Sequence, residues 1–284
     1  MKRYRLLIEY DGGMFRGFQR LTSRESEAER PRRRGNPRLW PRQRTVQEEL
    51  EVKLGVLLNE PVRCWGAGRT DQGVHATGQV VLFETCSLLP AEKMFRGLSA
   101  LLDPAVKVVS LEPAEPGFHP RFSARRRLYH YYLLPESGPS PFWSRLCWCY
   151  PGSLQIEDMR LAARPLLGTH DFSAYTRQPE PGESRLRELL RIEIRQDVLS
   201  PRTTQGPFGQ LSGLLCFEVE ANAFLRRMVR QLVANLVKVG SGEWPLDRPY
   251  TILQSGDAEQ SAPPAPPQGL FLVSVDYPKS PVPC

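Results

Sequence analysis

The sequence predicts an α+β chain in which one pattern of strand, helix, strand, strand, helix, strand occurs twice. Three observations predict it. Short runs such as residues 4–10 alternate apolar and polar side chains with the period of two that suits a half-buried strand. Other stretches, beginning at Thr45 and near Ala223, space their apolar residues three and four apart as a helix does. The order of these signals along the 284 residues recurs in the second half, with one further strand before its first helix.

In the first half, residues 4–10 read as a strand. After a long basic connection, Thr45 and Glu48 form a capping box that starts a helix running to about Leu58. Strands follow near 62–65 and 79–84. A helix over 91–102 stops before Asp103-Pro104, because a residue preceding proline is pushed out of the helical region. Residues 106–111 supply the next strand. In the second half the expected strands are 128–134, 146–150, 190–196, 214–220 and 270–277, with helices over 156–167 and 223–239. Asn222 is the expected cap of the latter helix and Gly240 its end. Each half, 1–112 and 113–284, resembles a ferredoxin-like β-α-β-β-α-β unit, with helices on one face of an antiparallel sheet. The uncovered faces are then expected to be free to form a central cleft.

Composition narrows the partners. With 38 Lys and Arg against 31 Asp and Glu, the net charge is +7 and the isoelectric point about 9.2. Such a balance favours a polyanion and also serves plain solubility. The six cysteines contain no CxxC pair and no histidine placed to complete a zinc site. No metal is expected, and the thiols read as reduced, as in a cytoplasmic protein. The start, MKRYRLLIEYDGG, alternates after two basic residues, so neither a signal peptide nor a membrane anchor is expected.

Chemistry is expected in the stretch GRTDQGVHATGQ, from Gly68 to Gln79. It sets Asp71 two positions after Arg69 in a glycine-rich bend. A guanidinium within a few ångströms holds a carboxylate in its ionised form, and arginine itself does not deprotonate. An ordinary turn with a surface ion pair is the alternative for these residues taken alone. Near the C-terminus, Arg226, Arg227 and Arg230 fall within about one turn of the second helical stretch, Arg226 and Arg230 at i and i+4. They suit either a site or a charged outer face with snorkelling side chains. On the strand around Leu128, Tyr129 and Tyr131 share one face, and His130 and Tyr132 share the other. One face is available to stack a base while the other packs in the core, and the preceding Arg125, Arg126 and Arg127 favour nucleic acid. The segment 22–44, with Pro31 followed by Arg32, Arg33 and Arg34, is too polar to pack and is expected to be a mobile loop. It suits a solvated face or a contact with RNA. Residues 261–267 read as a Pro-rich connector to which no chemistry is assigned.

Taken in order, EYDGGMFRGFQR, TVQEELE, GRTDQGVHATGQVVLF, FHPRFSARRRLYHYY, LLGTHDFSAY, ANAFLRRMVRQLVANLVKVG and APPQGLFLVSVDYP resemble the TruA family of tRNA pseudouridine synthases over nearly the whole chain. That resemblance implies roles. Asp71 corresponds to the catalytic aspartate, and Arg69 to the arginine that engages RNA and flips the target nucleotide. Tyr129 corresponds to the tyrosine that contacts the flipped base, and Arg230 to the arginine that pairs with the aspartate. It also implies isomerisation of uridine at positions 38–40 of the tRNA anticodon stem-loop by a homodimer that uses no cofactor. Two departures stand out: Gln72 replaces the usual alanine after the aspartate, and the 22–44 connection is longer than usual. An RNA-binding protein or RNA chaperone without turnover, and a synthase acting on another structured RNA, remain the alternatives. Together Asp71, Arg69, Tyr129 and Arg230 argue against the first, because pure binding is weakened by a carboxylate near phosphate.

Overall fold

A computed structural model describes residues 1–20, 44–135, 141–176, 182–196 and 213–278. Nearly all of the basic insertion, including Pro31 and Arg32–Arg34, lies outside these residues. The chain forms two compact units, residues 1–124 with 272–284, and residues 125–271. The first unit therefore extends past the expected limit at 112 and regains the last strand.

In the first unit β1 (Lys2–Tyr10) buries Tyr4, Leu6, Ile8 and Tyr10 on one face. It pairs antiparallel with β3 (His75–Thr85) on one side and with β4 (Val106–Pro113) on the other. The short β2 (Cys64–Gly66) pairs antiparallel with β3. Helix α1 (Val46–Leu58) begins with the expected capping box: Thr45 accepts from the Glu48 amide, and Glu48 accepts from the Thr45 amide at 2.8 Å. Asn59 ends it in the left-handed conformation, at φ 55°. Helix α2 (Ala91–Leu101) stops before the Asp103-Pro104 step. It meets α1 through Gly97, where an added methyl would lie 2.6 Å from a Leu57 methyl. Long strands and two local helices thus occur where the sequence pattern places them.

The final strand, β10 (Leu270–Asp276), leaves the second unit at Phe271 and joins the first at Leu272. Gly78 of β3 explains how it fits. A Cβ there would sit 1.9 Å from the Val273 carbonyl oxygen, so only glycine lets this strand approach. Tyr277 beyond it donates to the Pro120 carbonyl at 2.9 Å and packs its ring on Phe118.

The second unit is built on an antiparallel run of β5 (Arg126–Pro135), β9 (Leu215–Ala221), β8 (Leu186–Gln196) and β7 (Gly168–Asp171). Its other strand, β6 (Trp148–Tyr150), runs parallel to β5, which corrects the expectation of antiparallel sheets. The connection through residues 136–147 has the length that a parallel crossover needs. Helix α3 (Ile156–Ala163) ends earlier than expected and continues as a single 3-10 turn. Helix α5 (Arg248–Ser255) and strand β7 had no clear sequence signal.

The helix that carries Arg230, α4 (Met228–Gly240), starts five residues later than the apolar spacing suggested. Arg227 precedes it at φ 64°, a left-handed turn that interrupts any earlier helix. Asn222 does not cap it. Its side-chain oxygen instead accepts from the Glu188 and Ala223 amides at 3.1 and 2.7 Å, which secures the β8–β9 edge. Arg226 therefore lies before the helix and does not stack on Arg230 at i and i+4. The helix is buried on almost every side, including Gln231 and Asn235, so its surroundings rather than one apolar stripe hold it.

Candidate active site

Asp71 and Arg69 stand in the first unit, Tyr129 and Arg230 in the second. The Asp71 bend is held by the segment that follows β1. Tyr10, at the end of β1, hydrogen-bonds Thr70 through their hydroxyls at 2.8 Å in a buried position. Burial pushes the Tyr10 phenol up to about 12, and hydrogen bonds with Thr70 and Gln79 pull it back only in part, so it remains a neutral hydroxyl. The Phe18 amide donates to the Thr70 carbonyl, and the Gly73 amide to the Gly12 carbonyl. Gln79, fully buried on β3, donates to the Gly68 carbonyl at 2.9 Å. The Asp71 carbonyl closes the turn by accepting from Val74. Each backbone group named here leaves its neighbour less room to move.

Two glycines are required at this place. A Cβ on Gly12 would lie 1.9 Å from the Val74 carbonyl oxygen. One on Gly17, whose φ is +92°, would meet the Thr70 carbonyl oxygen at 2.8 Å and the Asp71 carbonyl carbon at 3.3 Å. The motif EYDGGMFRGF is thus a strap over the back of the bend. His75 is buried beneath it, accepting the Gly12 amide at Nδ1. Asp71 is partly buried, while Arg69 and Gln72 are exposed. Tyr10, Thr70, His75 and Gln79 carry the support that sequence reasoning missed. Tyr10 stands in the alternating run 4–10, and Thr70, His75 and Gln79 stand in the stretch 68–79, but no local pattern shows that they meet.

In the second unit Tyr129 is buried on β5 and meets Phe224 edge to face at 5.2 Å. Arg230 donates from Nε to the Ala265 carbonyl at 2.6 Å, and the Ala265 amide returns a bond to the Arg230 carbonyl at 3.1 Å. The next residue, Pro266, accepts from the Tyr131 hydroxyl at 2.9 Å. Burial pushes the Tyr131 phenol far up, against the opposing pull of the Arg230 cation. The structure thus joins Arg230 with Tyr131 and with the 261–267 connector, which proves to be the arginine's seat. His130 and Tyr132 share the other strand face, as the alternation requires, and contact each other at 3.3 Å.

One cluster on that face has the donor types of a metal site: ligand atoms of His130, Cys216 and Glu218 lie within 4.8 Å of one another. Its charges oppose a cation. Arg191 and Arg195 engage the two Glu218 oxygens at 3.4 and 3.2 Å. Burial, helped by Glu218, raises the Cys216 thiol to about 12, so the thiolate that a metal needs is disfavoured. The set reads as an ion-pair network around the buried Glu218, reaching the surface at Arg195, and among the described residues no other such group occurs.

The family profile described as tRNA pseudouridine synthase matches residues 162–278. Relatives named tRNA pseudouridine synthase A match almost from end to end. The one from Pseudothermotoga lettingae is 34% identical over 277 residues, covering 98% of this chain and 100% of the relative. The chain belongs to the TruA family of tRNA pseudouridine synthases. The Thermoanaerobacter sp. and Caulobacter vibrioides proteins of the same name are also 34% identical, each covering 98% of this chain and 100% and 99% of their own lengths. As a TruA-family member the protein is a pseudouridine synthase, an isomerase. No helix among the described residues is long and apolar enough to cross a membrane.

Proposed function

We propose that the protein converts uridine to pseudouridine at positions 38–40 of the tRNA anticodon stem-loop, with Asp71 as the reacting carboxylate. Two ferredoxin-like halves flank the RNA-binding cleft, and the working form is a cytoplasmic homodimer. The bond from ribose C1′ to uracil N1 breaks, the base turns while bound, and C5 bonds to C1′. The hydrogen leaving C5 is balanced by one gained at N1, so nothing is oxidised and no cofactor is used. Asp71 adds to the sugar, adds to the ring, or removes a sugar proton; each route uses the ionised carboxylate. Arg69 engages the RNA as the target nucleotide leaves the stack. Tyr129 receives the flipped base and offsets an unstacking cost of a few kcal/mol. Arg230 pairs with the aspartate.

The observation that carries this reading is the strapped bend. A partly buried carboxylate stands on a turn held by Tyr10, Gly12, Phe18 and Gln79, in a chain alignable with pseudouridine synthases throughout its length. Such rigidity suits a reacting group more than a surface ion pair. Turnover is measured by tritium release, because C5 loses its hydrogen in the reaction. Asp71→Ala is expected to bind tRNA as the parent does and to release none. Release at the parent rate would remove Asp71 from the chemistry.

A further inference from the structure

A turn at residues 118–123 presents a large aromatic ring to water on a rigid mount. Phe122 is 78% exposed. The backbone beneath it is secured from every side. The Ser123 amide donates to the His119 carbonyl at 2.9 Å, and the His119 amide to the Ser123 hydroxyl at 3.0 Å. His119 Nδ1 accepts both the Arg121 and Phe122 amides, at 3.1 and 3.3 Å. At the base, Phe118 packs on Tyr277 and its carbonyl accepts from Arg3, while Pro120 accepts from the Tyr277 hydroxyl. An imidazole that accepts at Nδ1 must carry its proton on Nε2. Partial burial, followed by the Arg3 and Arg121 cations, holds its pKa below the ordinary histidine value and keeps it neutral.

The ring is not left exposed by a slack loop. Burying a phenylalanine ring is favourable, and this turn forgoes that gain although its backbone is hydrogen-bonded. His119 lies against the ring at 4.5 Å between centroids and 32° between planes. The Arg121 guanidinium stands 5.9 Å from its centre. A ring covered on both faces could not keep 78% of its surface in water. A largely exposed aromatic ring with an exposed arginine against it is a pairing that can receive an unstacked base together with its phosphate.

We propose that Phe122 is a stacking platform for an unpaired base of the tRNA, with Arg121 at the adjoining phosphate and His119 as the residue that positions the ring. This rests on the tRNA-modifying activity argued above and adds a contact point to it. Charge selects the occupant: a cation over the ring in a chain of net charge +7 suits a polyanion better than an apolar protein surface.

The test compares Phe122→Ala, Phe122→Leu and Phe122→Trp in the full chain, using a tRNA transcript. Measured are the Kd for tRNA, the KM and kcat of tritium release, Tm and molar mass in solution. The alanine variant is expected to raise Kd and KM by roughly 5- to 150-fold, since base stacking on an aromatic ring is worth about 1–3 kcal/mol. Its kcat and Tm should match the parent. Tryptophan should restore binding; leucine, which keeps apolar volume without a π face, should not. Unchanged Kd with alanine, or full rescue by leucine, overturns the platform. A loss of dimer mass in the alanine variant overturns it too, because a second copy of the chain then covers the ring. Parent protein that makes pseudouridine while the alanine variant binds normally refutes only the platform. Parent protein that neither binds nor modifies tRNA refutes the platform and the activity together.

Discussion

Gly17→Ala tests whether the strap positions Asp71 or only stabilises the unit. The new methyl would sit 2.8 Å from the Thr70 carbonyl oxygen, about 0.6 Å inside ordinary contact at 3.4 Å, and 3.3 Å from the Asp71 carbonyl carbon. Both are backbone atoms and cannot swing away as a side chain would. Gly17 cannot retreat easily, since its carbonyl accepts the Val46 amide at 3.1 Å. The bend must therefore move. A misplacement of 1 Å costs about 100-fold in rate, so a shift of about 0.6 Å should lower kcat on the order of 10-fold. The left-handed backbone adds a stability loss of about 1–3 kcal/mol. Gly13→Ala is the control, because its methyl would meet only the Asp11 carboxylate, the end of a flexible side chain, at 3.0 Å. Multiple-turnover tritium release at saturating tRNA measures kcat, with Tm recorded alongside. A Gly17→Ala enzyme that loses several degrees of Tm yet keeps kcat within about twofold of the parent would refute positioning.

Two other substitutions probe the remaining supports. With Tyr10 raised to about 12 from an ordinary 10, the folded state favours the protonated phenol. Its contribution is complete below pH 10 and is lost as pH climbs towards 12, by up to about 3 kcal/mol. Tyr10→Phe should cost about 1–2 kcal/mol at pH 8, where Thr70 loses its partner, and should fall less than the parent between pH 10 and 12. Urea denaturation at both ends of that range decides it, and parallel losses in the two proteins would count against it. Arg230→Lys keeps the charge but loses the bond from Nε to Ala265, a charge-assisted bond worth about 1.5–3 kcal/mol. Turnover should drop about 10-fold or more with tRNA affinity little changed, and parent-like kcat would show that the seat is dispensable.

What was legible in the sequence followed local chemistry. Strand β1 and helix α1 are readable because alternation and the Thr45 capping box act over a few residues. The bend at Asp71 was readable for its glycines and its charge pair. Its fastening was not, because Tyr10 meets Thr70, and Gly17 meets Asp71, across more than fifty residues of sequence. The start of α4 was misread for a related reason. Leu225 continues the apolar spacing, yet Asn222 spends its side chain on the β8–β9 edge and Arg227 turns left-handed. The parallel β5–β6 pair and the role of the 261–267 connector likewise depend on where the chain returns in space.

The same fastening explains why a long basic insertion is compatible with an ordered bend. The two ends of the insertion are tied to each other before it begins. The Arg16 amide donates to the Arg44 carbonyl, the Val46 amide to Gly17, and the Gln47 amide to Phe18. The Gln47 side chain accepts from the Arg20 amide at 3.0 Å. Arg44 itself is anchored by fully buried Glu49, and its second terminal nitrogen lies 3.5 Å from Asp103. Once the ends are closed in this way, each doubling of the loop between them costs only about 0.6 kcal/mol. That is less than one of these hydrogen bonds contributes when its donor and acceptor are buried. Length can therefore be added between residues 20 and 44 without disturbing the Thr70–Asp71 backbone, because the strap that presses on it is held from Arg16 to Phe18 by Arg44 and the start of α1.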